Sequence, residues 1–186
     1  MDWDQDFGML TAAVAKLHSG QVRKQSGVPY VIHPLQVVQR LSEWGIDRRQ
    51  HRDTWTSALF HDAIEDTEAT PDSLVPLIGE YATHLVVVLT FDPQQESKEA
   101  YLASFQDEGK TPIEAVVVKL ADRFCNVEDF LRIDPNHAQS YFWKAKSVFN
   151  AFLSRQTEVA STFGSETTAT IEQDLRRLEN FVGEPR

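Results

Sequence analysis

The 186-residue sequence is poor in three features that would each point to a particular class of protein. Its single cysteine, Cys125, excludes an internal disulfide framework and indicates a reducing compartment. No apolar run reaches the roughly 18 to 20 residues that a membrane-spanning helix needs. Lys and Arg total 18 against 28 Asp and Glu, which argues against a large nucleic-acid surface because such a surface needs clustered positive charge. We therefore expect a cytoplasmic protein without nucleic-acid or membrane partners.

The overall composition indicates a globular protein of ordinary type. Hydrophobic residues make up 41% and charged residues 25% of the chain. The segment from Met1 to Asp6 is acidic and lacks the basic-then-apolar order of a signal peptide. The net charge of −10 does not exclude a small anionic ligand, since a metal ion and a few local cations can invert the field in one pocket. The length suits one compact domain over residues 1–186.

Apolar residues recur at helical spacing along most of the chain, which predicts an all-α fold of seven to nine helices. The final helix is expected to bury Ile171, Leu175, Leu178 and Phe181. The polar stretch 161–170 that precedes it is expected to form a loop.

Two Thr-Pro pairs predict the starts of helices. Thr70 is expected to cap a helix that has Pro71 at its first position. The signal at Thr111 and Pro112 is stronger, because Glu114 completes the sequence pattern of a capping box.

A third proline places a histidine. His33 precedes Pro34, which biases His33 toward an extended conformation and suits the first turn of a helix. His33 is therefore expected at the mouth of a second helix, where a ligand has little positional freedom.

The segment from Phe60 to Asp66 contains a histidine and three carboxylates. If the segment is helical, Glu65 lies one turn on from His61 and also neighbours Asp62. His61 and Asp62 can offer one nitrogen and one oxygen ligand to a hard cation, while Glu65 and Asp66 remain for proton transfer or for orienting water. Taken alone, the pair is explained better by a solvated acidic helix that happens to contain a histidine.

Four residues together suggest a metal site: His33, His61, Asp62 and Asp122. Two imidazoles and two carboxylates suit Mn²⁺ or Fe²⁺ better than structural zinc, because the set contains no cysteine. The four come from three predicted helices, so their spacing leaves open whether they converge.

The chain resembles the HD phosphohydrolase superfamily, which is named after its His…His-Asp…Asp metal signature. Within it, the chain is most similar to RelA/SpoT-type alarmone hydrolases, in particular the stand-alone Mesh-type enzymes. The resemblance covers about residues 10 to 150, with a C-terminal helical extension beyond. Four blocks carry it, the last more weakly: Arg23-Lys24…Gly27-Val28-Pro29-Tyr30…His33-Pro34, Leu59-Phe60-His61-Asp62-Ala63-Ile64-Glu65-Asp66-Thr67, Val118-Lys119-Leu120-Ala121-Asp122-Arg123…Asn126, and Tyr141-Phe142-Trp143.

The resemblance implies a role for each group of residues. Its metal ligands, usually of Mn²⁺, are His33, His61, Asp62 and Asp122. Its hydrolytic residues are Glu65 and Asp66, and its nucleotide contacts are Arg23, Lys24, Asn126 and Tyr141. The implied substrate is guanosine tetra- or pentaphosphate, cleaved on the 3′ side to pyrophosphate plus GDP or GTP.

Several alternatives stay open at this point. The substrate can be another nucleotide, such as an adenosine alarmone or an NADPH-like molecule. A non-catalytic nucleotide-sensing module is also conceivable, although binding alone would not require Glu65 and Asp66. Arg23 and Lys24, taken alone, are more typical of solvated loop charge, and Asn126 equally fits a cap or a bridge within a helix. A homo-oligomer is neither indicated nor excluded.

Overall fold

The structure is a computed structural model that describes residues 3–24 and 26–183, with side chains from residue 6 onward. Met1, Asp2 and Gln25, which belong to segments interpreted above, lie outside the described residues. The described part contains eleven helices and, apart from one isolated bridge, no β-structure. The helices are α1 Trp3–Leu17, α2 Ile32–Glu43, α3 Arg52–Phe60, α4 Ala63–Asp66, α5 Pro71–Ile78, α6 Glu80–Leu89, α7 Lys98–Ser104, α8 Ile113–Ile133, α9 Pro135–Ser154, α10 Gln156–Phe163 and α11 Ser165–Val182. The all-α prediction is confirmed, with more and shorter helices than the expected seven to nine.

Helix α8 forms the centre of the fold. Every residue from Ala115 to Asp122 is buried, although two of them, Lys119 and Asp122, are charged. A helix that is buried on all sides must be covered by neighbours, and α2, α3, α6, α9 and α10 pack against it. The side chains of α8 are consequently held in fixed positions, which suits a helix that contributes functional groups.

The two predicted helix starts have different outcomes. At α5 the expected cap is present, because the Thr70 hydroxyl accepts from the Ser73 N–H at 3.3 Å and the Ser73 hydroxyl accepts from the Thr70 N–H at 2.9 Å. The capping prediction at Thr111 is wrong. Pro112 precedes α8 without a side-chain cap, and the buried Thr111 hydroxyl donates to the Ser104 carbonyl at 2.9 Å. The Thr111 carbonyl in turn accepts from Arg155, so tertiary contacts outweigh the local capping pattern.

His33 lies in the first turn of α2, as expected, but its backbone is helical and not extended. The following Pro34 is tolerated there because the first turn of a helix leaves its N–H groups without intrahelical partners. The His33 N–H instead donates to the Tyr30 carbonyl at 2.9 Å.

The C-terminal helices share one hydrophobic core with the rest of the described chain. The core runs from Leu10 in α1 to Val182 in α11. The predicted loop 161–170 is mostly helical, because Gly164, at φ 96°, divides α10 from α11 with a single residue. Phe181 was expected to be buried but is 68% exposed, and Val182 is buried in its place. The single-domain division stays a prediction.

No described helix is long and apolar enough to cross a membrane.

Candidate metal centre and adjoining clefts

A break between α3 and α4 brings adjacent side chains to one point. On a continuous helix, consecutive side chains diverge by about 100°. Here α3 ends at Phe60 and α4 begins at Ala63, while Asp62 adopts φ −101° and ψ 0°. As a result His61 Nε2 and Asp62 Oδ2 are 2.9 Å apart. The segment is therefore not one continuous helix, and its interruption is what gives both side chains the same target.

The four predicted ligands converge in a largely buried cluster. Ligand atoms of His33, His61 and Asp62 all lie within 4.8 Å of one another. Asp122 Oδ1 is 3.2 Å from His33 Nε2 and 3.8 Å from His61 Nε2. His33 Nε2 is also 3.6 Å from Asp62 Oδ2. The structure thus brings together residues from α2, the α3–α4 break and α8, although their role as ligands stays a prediction.

The chemistry of the cluster fits a divalent cation. His61 Nδ1 lies 2.8 Å from the Ala58 carbonyl, and because a carbonyl can only accept, Nδ1 carries the proton. The lone pair of His61 Nε2 then points at carboxylates, and this buried atom has no hydrogen-bond partner. Burial lowers the pKa of His61, but Asp62 and Asp122 raise it further, so the net shift is upward. The raised pKa favours a second proton on Nε2, and a cation held at this point would take the place of that second proton.

The buried Lys119 and the partly buried Arg123 hold Asp122 in its ionised form. Lys119 Nζ lies 3.4 Å and Arg123 Nε 3.7 Å from Asp122 Oδ2, and Asn126 Nδ2 donates to Oδ1 at 2.6 Å. Burial alone would raise the pKa of Asp122, but Lys119 and Arg123 keep it well below its ordinary value. The pKa of Asp62 is likewise lowered, because the attraction of His61 outweighs burial. Both carboxylates are therefore ready to bind a cation near neutral pH.

Asp66 and Glu65 leave the short helix α4 in different directions. The Tyr30 hydroxyl lies 2.8 Å from Asp66 Oδ2 and 2.6 Å from Asp62 Oδ2, which links Asp66 to the cluster. Glu65 Oε2 instead accepts from the Phe91 N–H at 3.3 Å. Both carboxylates are exposed. Burial and the neighbouring Asp62 raise the pKa of Tyr30, so its phenol remains a proton donor.

One cleft beside the cluster collects three of the four predicted nucleotide contacts. It has a volume of about 460 Å³ and is lined by Gln21, Val22, Arg23, Lys24, Tyr30, Asp66, Asn126 and Phe130. Arg23 Nη2 donates to Asn126 Oδ1 at 2.8 Å and to Asp129 Oδ2 at 3.1 Å. Arg23 is thus anchored to α8, and solvated loop charge no longer explains it, whereas Lys24 is exposed at the rim.

Tyr141 lies in a different cleft from the other predicted nucleotide contacts. That second cleft has a volume of about 590 Å³ and is lined by Lys98, Glu99, Leu102, Ala103, Gln106, Arg123, Tyr141, Lys144, Ala145 and Ser147. The Tyr141 hydroxyl accepts from Arg123. Phe130, which lines the first cleft, packs against the Tyr141 ring with centroids 5.0 Å apart. The two clefts therefore meet around this aromatic pair.

The sequence interpretation did not assign roles to three residues that contact the cluster, or to two that contact its neighbours. The first three are Tyr30, Lys119 and Arg123. The other two are Gln21, which binds the Asp66 carbonyl, and Asp129, which binds Arg23. Tyr30, Lys119 and Arg123 all occur in the quoted blocks, so position within a block was the available signal. No signal in the sequence connects Asp129 or Gln21 to the cluster. Cys125 is poorly suited to act as a nucleophile, since burial raises the pKa of its thiol to about 12.

Comparison with known proteins decides the family. A family model described as an HD domain matches residues 11–159. The chain belongs to the HD domain family. HD domains depend on divalent metal ions, and the cluster of His33, His61 and Asp62 in this HD domain provides suitable donors.

Relatives of this HD domain include both short and long proteins. Guanosine-3′,5′-bis(diphosphate) 3′-pyrophosphohydrolase MESH1 of Danio rerio is 30% identical over 165 residues, which cover 88% of this chain and 87% of the relative. A probable guanosine-3′,5′-bis(diphosphate) 3′-pyrophosphohydrolase of Mycoplasma pneumoniae is 29% identical over 175 residues, which cover 87% of this chain. Those residues are 22% of that relative, so the chain spans about a fifth of the long relatives that it matches.

A solved structure shares the fold of this HD domain. It is described as a metazoan ortholog of SpoT that hydrolyzes ppGpp and plays a role in starvation responses. The match has a TM-score of 0.72 and 26% sequence identity, and it covers 92% of this chain and 94% of the other. The two folds therefore correspond over nearly their whole length.

Proposed function

We propose that this HD domain hydrolyses the 3′-pyrophosphate of guanosine tetra- or pentaphosphate and releases pyrophosphate plus GDP or GTP. The observation that supports the proposal most is the convergence of His33, His61, Asp62 and Asp122 in a buried cluster beside two basic clefts. A relative of similar length and a structural neighbour are named for this reaction.

We infer that Mn²⁺ is the metal, with Fe²⁺ as the next candidate. The donors are two imidazole nitrogens and two carboxylates, a mixed set without sulfur that suits these ions. A divalent ion supplies positive charge for the phosphoryl oxygens and lowers the pKa of water.

Asp66 and Glu65 are the groups of this chain that are suited to handle the water. Hydrolysis adds the water oxygen to phosphorus and a proton to the ribose 3′-oxygen that leaves. Asp66 lines the first cleft, and the Tyr30 hydroxyl ties it to the cluster, so it can orient or deprotonate water there. Glu65 lies on the other side of α4 beside Phe91 and is the second carboxylate that can orient or deprotonate water.

The two basic clefts match a substrate that carries phosphate groups at both ends of its ribose. In the first cleft Arg23 uses Nη2 for its bonds within the protein, so Nε and Nη1 can meet a phosphate or the guanidinium can stack on the base. In the second cleft Lys98, Arg123 and Lys144 supply positive charge beside Tyr141. We infer that base and ribose occupy the first cleft and that a phosphate group reaches the second.

Direct assay of the purified protein tests the proposal. We expect Mn²⁺-loaded protein to release pyrophosphate from guanosine tetraphosphate, and Asp62→Ala to abolish the release because it removes a donor of the cluster. Asp72→Ala is the matched control, since Asp72 is an exposed carboxylate in the first turn of α5 and should leave the rate unchanged. A folded, metal-loaded sample that releases no pyrophosphate contradicts the proposal.

A nucleotide panel separates this substrate from the alternatives. Guanosine tetraphosphate, an adenosine alarmone and NADPH are assayed in parallel, with phosphate and pyrophosphate measured separately. Faster turnover of another nucleotide would keep the HD chemistry and change the substrate. Tight binding of all nucleotides without turnover would indicate a sensing module.

The remaining properties stay predictions. We place the protein in the cytoplasm, where a reducing environment suits the free, buried Cys125. Neither a homo-oligomer nor a protein partner follows from the described contacts.

A further inference from the structure

The Tyr30 hydroxyl occupies the space between two carboxylates that have different proposed tasks. It lies 2.6 Å from Asp62 Oδ2 and 2.8 Å from Asp66 Oδ2. Asp62 belongs to the metal cluster, whereas Asp66 is exposed and lines the first cleft. A carboxylate on an exposed side chain rotates freely unless a neighbour holds it. The single proton of the hydroxyl can be shared between the two carboxylates, so the hydroxyl is placed to hold both side chains near each other.

The Tyr30 ring is itself held from several sides. It stacks on the buried His18 ring, with centroids 4.8 Å apart and an interplanar angle of 24°, and it meets the His33 ring edge-on at 6.0 Å. The Tyr30 N–H donates to the Gln21 carbonyl at 2.9 Å. The Gln21 side-chain amide then donates to the Asp66 carbonyl at 2.7 Å, and its oxygen lies 2.8 Å from His18 Nδ1. Ring, loop and α4 form one connected unit.

We propose that Tyr30 is a positioning residue that fixes the Asp62 carboxylate of the metal cluster and the Asp66 carboxylate relative to each other. Its part in turnover rests on the proposed function, whereas its part in metal binding does not. Residues that hydrogen-bond to metal ligands typically change metal affinity by about 10- to 100-fold when they are removed. A positioned acid or base contributes to kcat, because its geometry matters in the transition state.

The first test measures Mn²⁺ binding to metal-free protein by calorimetric titration. We expect Tyr30→Phe to weaken binding about tenfold, the lower end for such residues, since the change removes a single oxygen. The matched control is Tyr81→Phe, which also removes a bond between a phenol and a carboxylate, that of Glu114, on an exposed part of α6. Tyr81→Phe should bind Mn²⁺ within about twofold of the unchanged protein, because the hydrogen bonds described for the four predicted ligands involve neither Tyr81 nor Glu114. Equal affinity of Tyr30→Phe and Tyr81→Phe overturns the proposal.

The second test measures steady-state kinetics with guanosine tetraphosphate at saturating Mn²⁺. We expect Tyr30→Phe to lower kcat at least about tenfold and to change KM by less than about twofold, because the hydroxyl acts on the carboxylates and not on substrate binding. An unchanged kcat means that Tyr30 supports only the ligand, which contradicts the shared role. If the unchanged protein does not turn over the alarmone, the proposed function fails while the Mn²⁺ titration still decides the metal half.

A second variant protects the test against loss of folding. Gln21→Leu removes the amide that ties Asp66 to the loop of Tyr30 and leaves the Tyr30 ring in place. It should lower kcat about three- to tenfold while Mn²⁺ affinity stays within about twofold, since Asp66 shifts and Asp62 does not. An unaltered kcat in Gln21→Leu would contradict the claim that the loop of Tyr30 positions Asp66. Weakened Mn²⁺ binding would contradict the claim that Gln21 acts on Asp66 and not on Asp62.

Discussion

Lys119 is a buried cation beside the cluster of His33, His61, Asp62 and Asp122. Its removal gives the sharpest test of whether nearby positive charge stabilises the ionised Asp122. Its ammonium lies 3.4 Å from Asp122 Oδ2 and 3.4 Å from the Leu89 carbonyl. The side chain is only 4% exposed, so water does not screen the pair. Burial lowers the pKa of Lys119, but the nearby Tyr101 and Asp122 raise it further, so the ammonium stays charged. In the metal-free protein it offsets the charge of Asp122.

The magnitude of the effect follows from the geometry. Two unit charges at 3.4 Å attract by about 5 kcal/mol when the effective dielectric constant is about 20. Replacement by methionine also removes the cost of burying the ammonium, and Arg123 remains 3.7 Å from the same oxygen. We therefore expect Lys119→Met to reduce the free energy of unfolding by about 3 kcal/mol, the lower end for a broken buried ion pair. For a chain of this length that lowers the melting temperature by about 6 to 12 °C.

The assay is thermal unfolding with a chelator and with excess Mn²⁺. Without one cation beside Asp122, a divalent ion meets less repulsion, so Mn²⁺ should raise the melting temperature of Lys119→Met by more than that of the unchanged protein. Lys110→Met is the control, because its ion pair with Asp107 is 72% and 47% exposed and contributes at most about 1 kcal/mol. A metal-free Lys119→Met protein that melts within about 2 °C of the unchanged protein refutes the reasoning.

Three further predictions concern the clefts and the cluster. Asp129→Asn weakens the anchor of Arg23, so KM for the alarmone should rise about three- to tenfold with little change in kcat in steady-state assays. Glu65→Gln and Asp66→Asn should each lower kcat at least about 100-fold while Mn²⁺ affinity in calorimetry stays within about threefold, because both carboxylates lie outside the cluster. Exchanging the two residues at the break, with His61→Asp and Asp62→His together, keeps composition and charge but should abolish Mn²⁺ binding, since the contacts to Ala58 and Tyr30 are specific to each position.

Regular helices with strong periodicity were predictable from the sequence, and breaks between them were not. Hydrophobic spacing depends on which face is buried, so it marks α2, α8 and α11 clearly. A short break such as that at Asp62 keeps the apolar spacing and changes only two backbone angles, which no residue pattern records. The sequence therefore left open whether 60–66 is one helix. The Thr111 cap failed because a tertiary acceptor, the Ser104 carbonyl, competes for the hydroxyl.

The residue types of the site were visible in the sequence, but their partners were not. His33, His61, Asp62 and Asp122 were singled out because they form a mixed nitrogen and oxygen donor set and match the metal signature of the family. Tyr30 belongs to the first quoted block but received no role, because only the fold shows its hydroxyl between Asp62 and Asp66. Contacts across 32 and 36 residues depend on how α2 packs against α3, which sequence periodicity does not specify.

The distribution of charge is compatible with the proposed polyphosphate substrate, although the chain is acidic overall. The protein has a net charge of −10, yet its cluster combines the two carboxylates of Asp62 and Asp122 with the cations Lys119 and Arg123 at one edge. In the metal-free state these charges balance, which permits burial. A divalent metal ion bound to the cluster would neutralise the carboxylates of Asp62 and Asp122. The positive charge of Lys119 and Arg123 would then no longer be offset, so the site would become positive. The field that attracts an anionic substrate thus depends on metal loading, and the acidic surface elsewhere does not prevent it, because exposed charges are screened within about 8 to 10 Å.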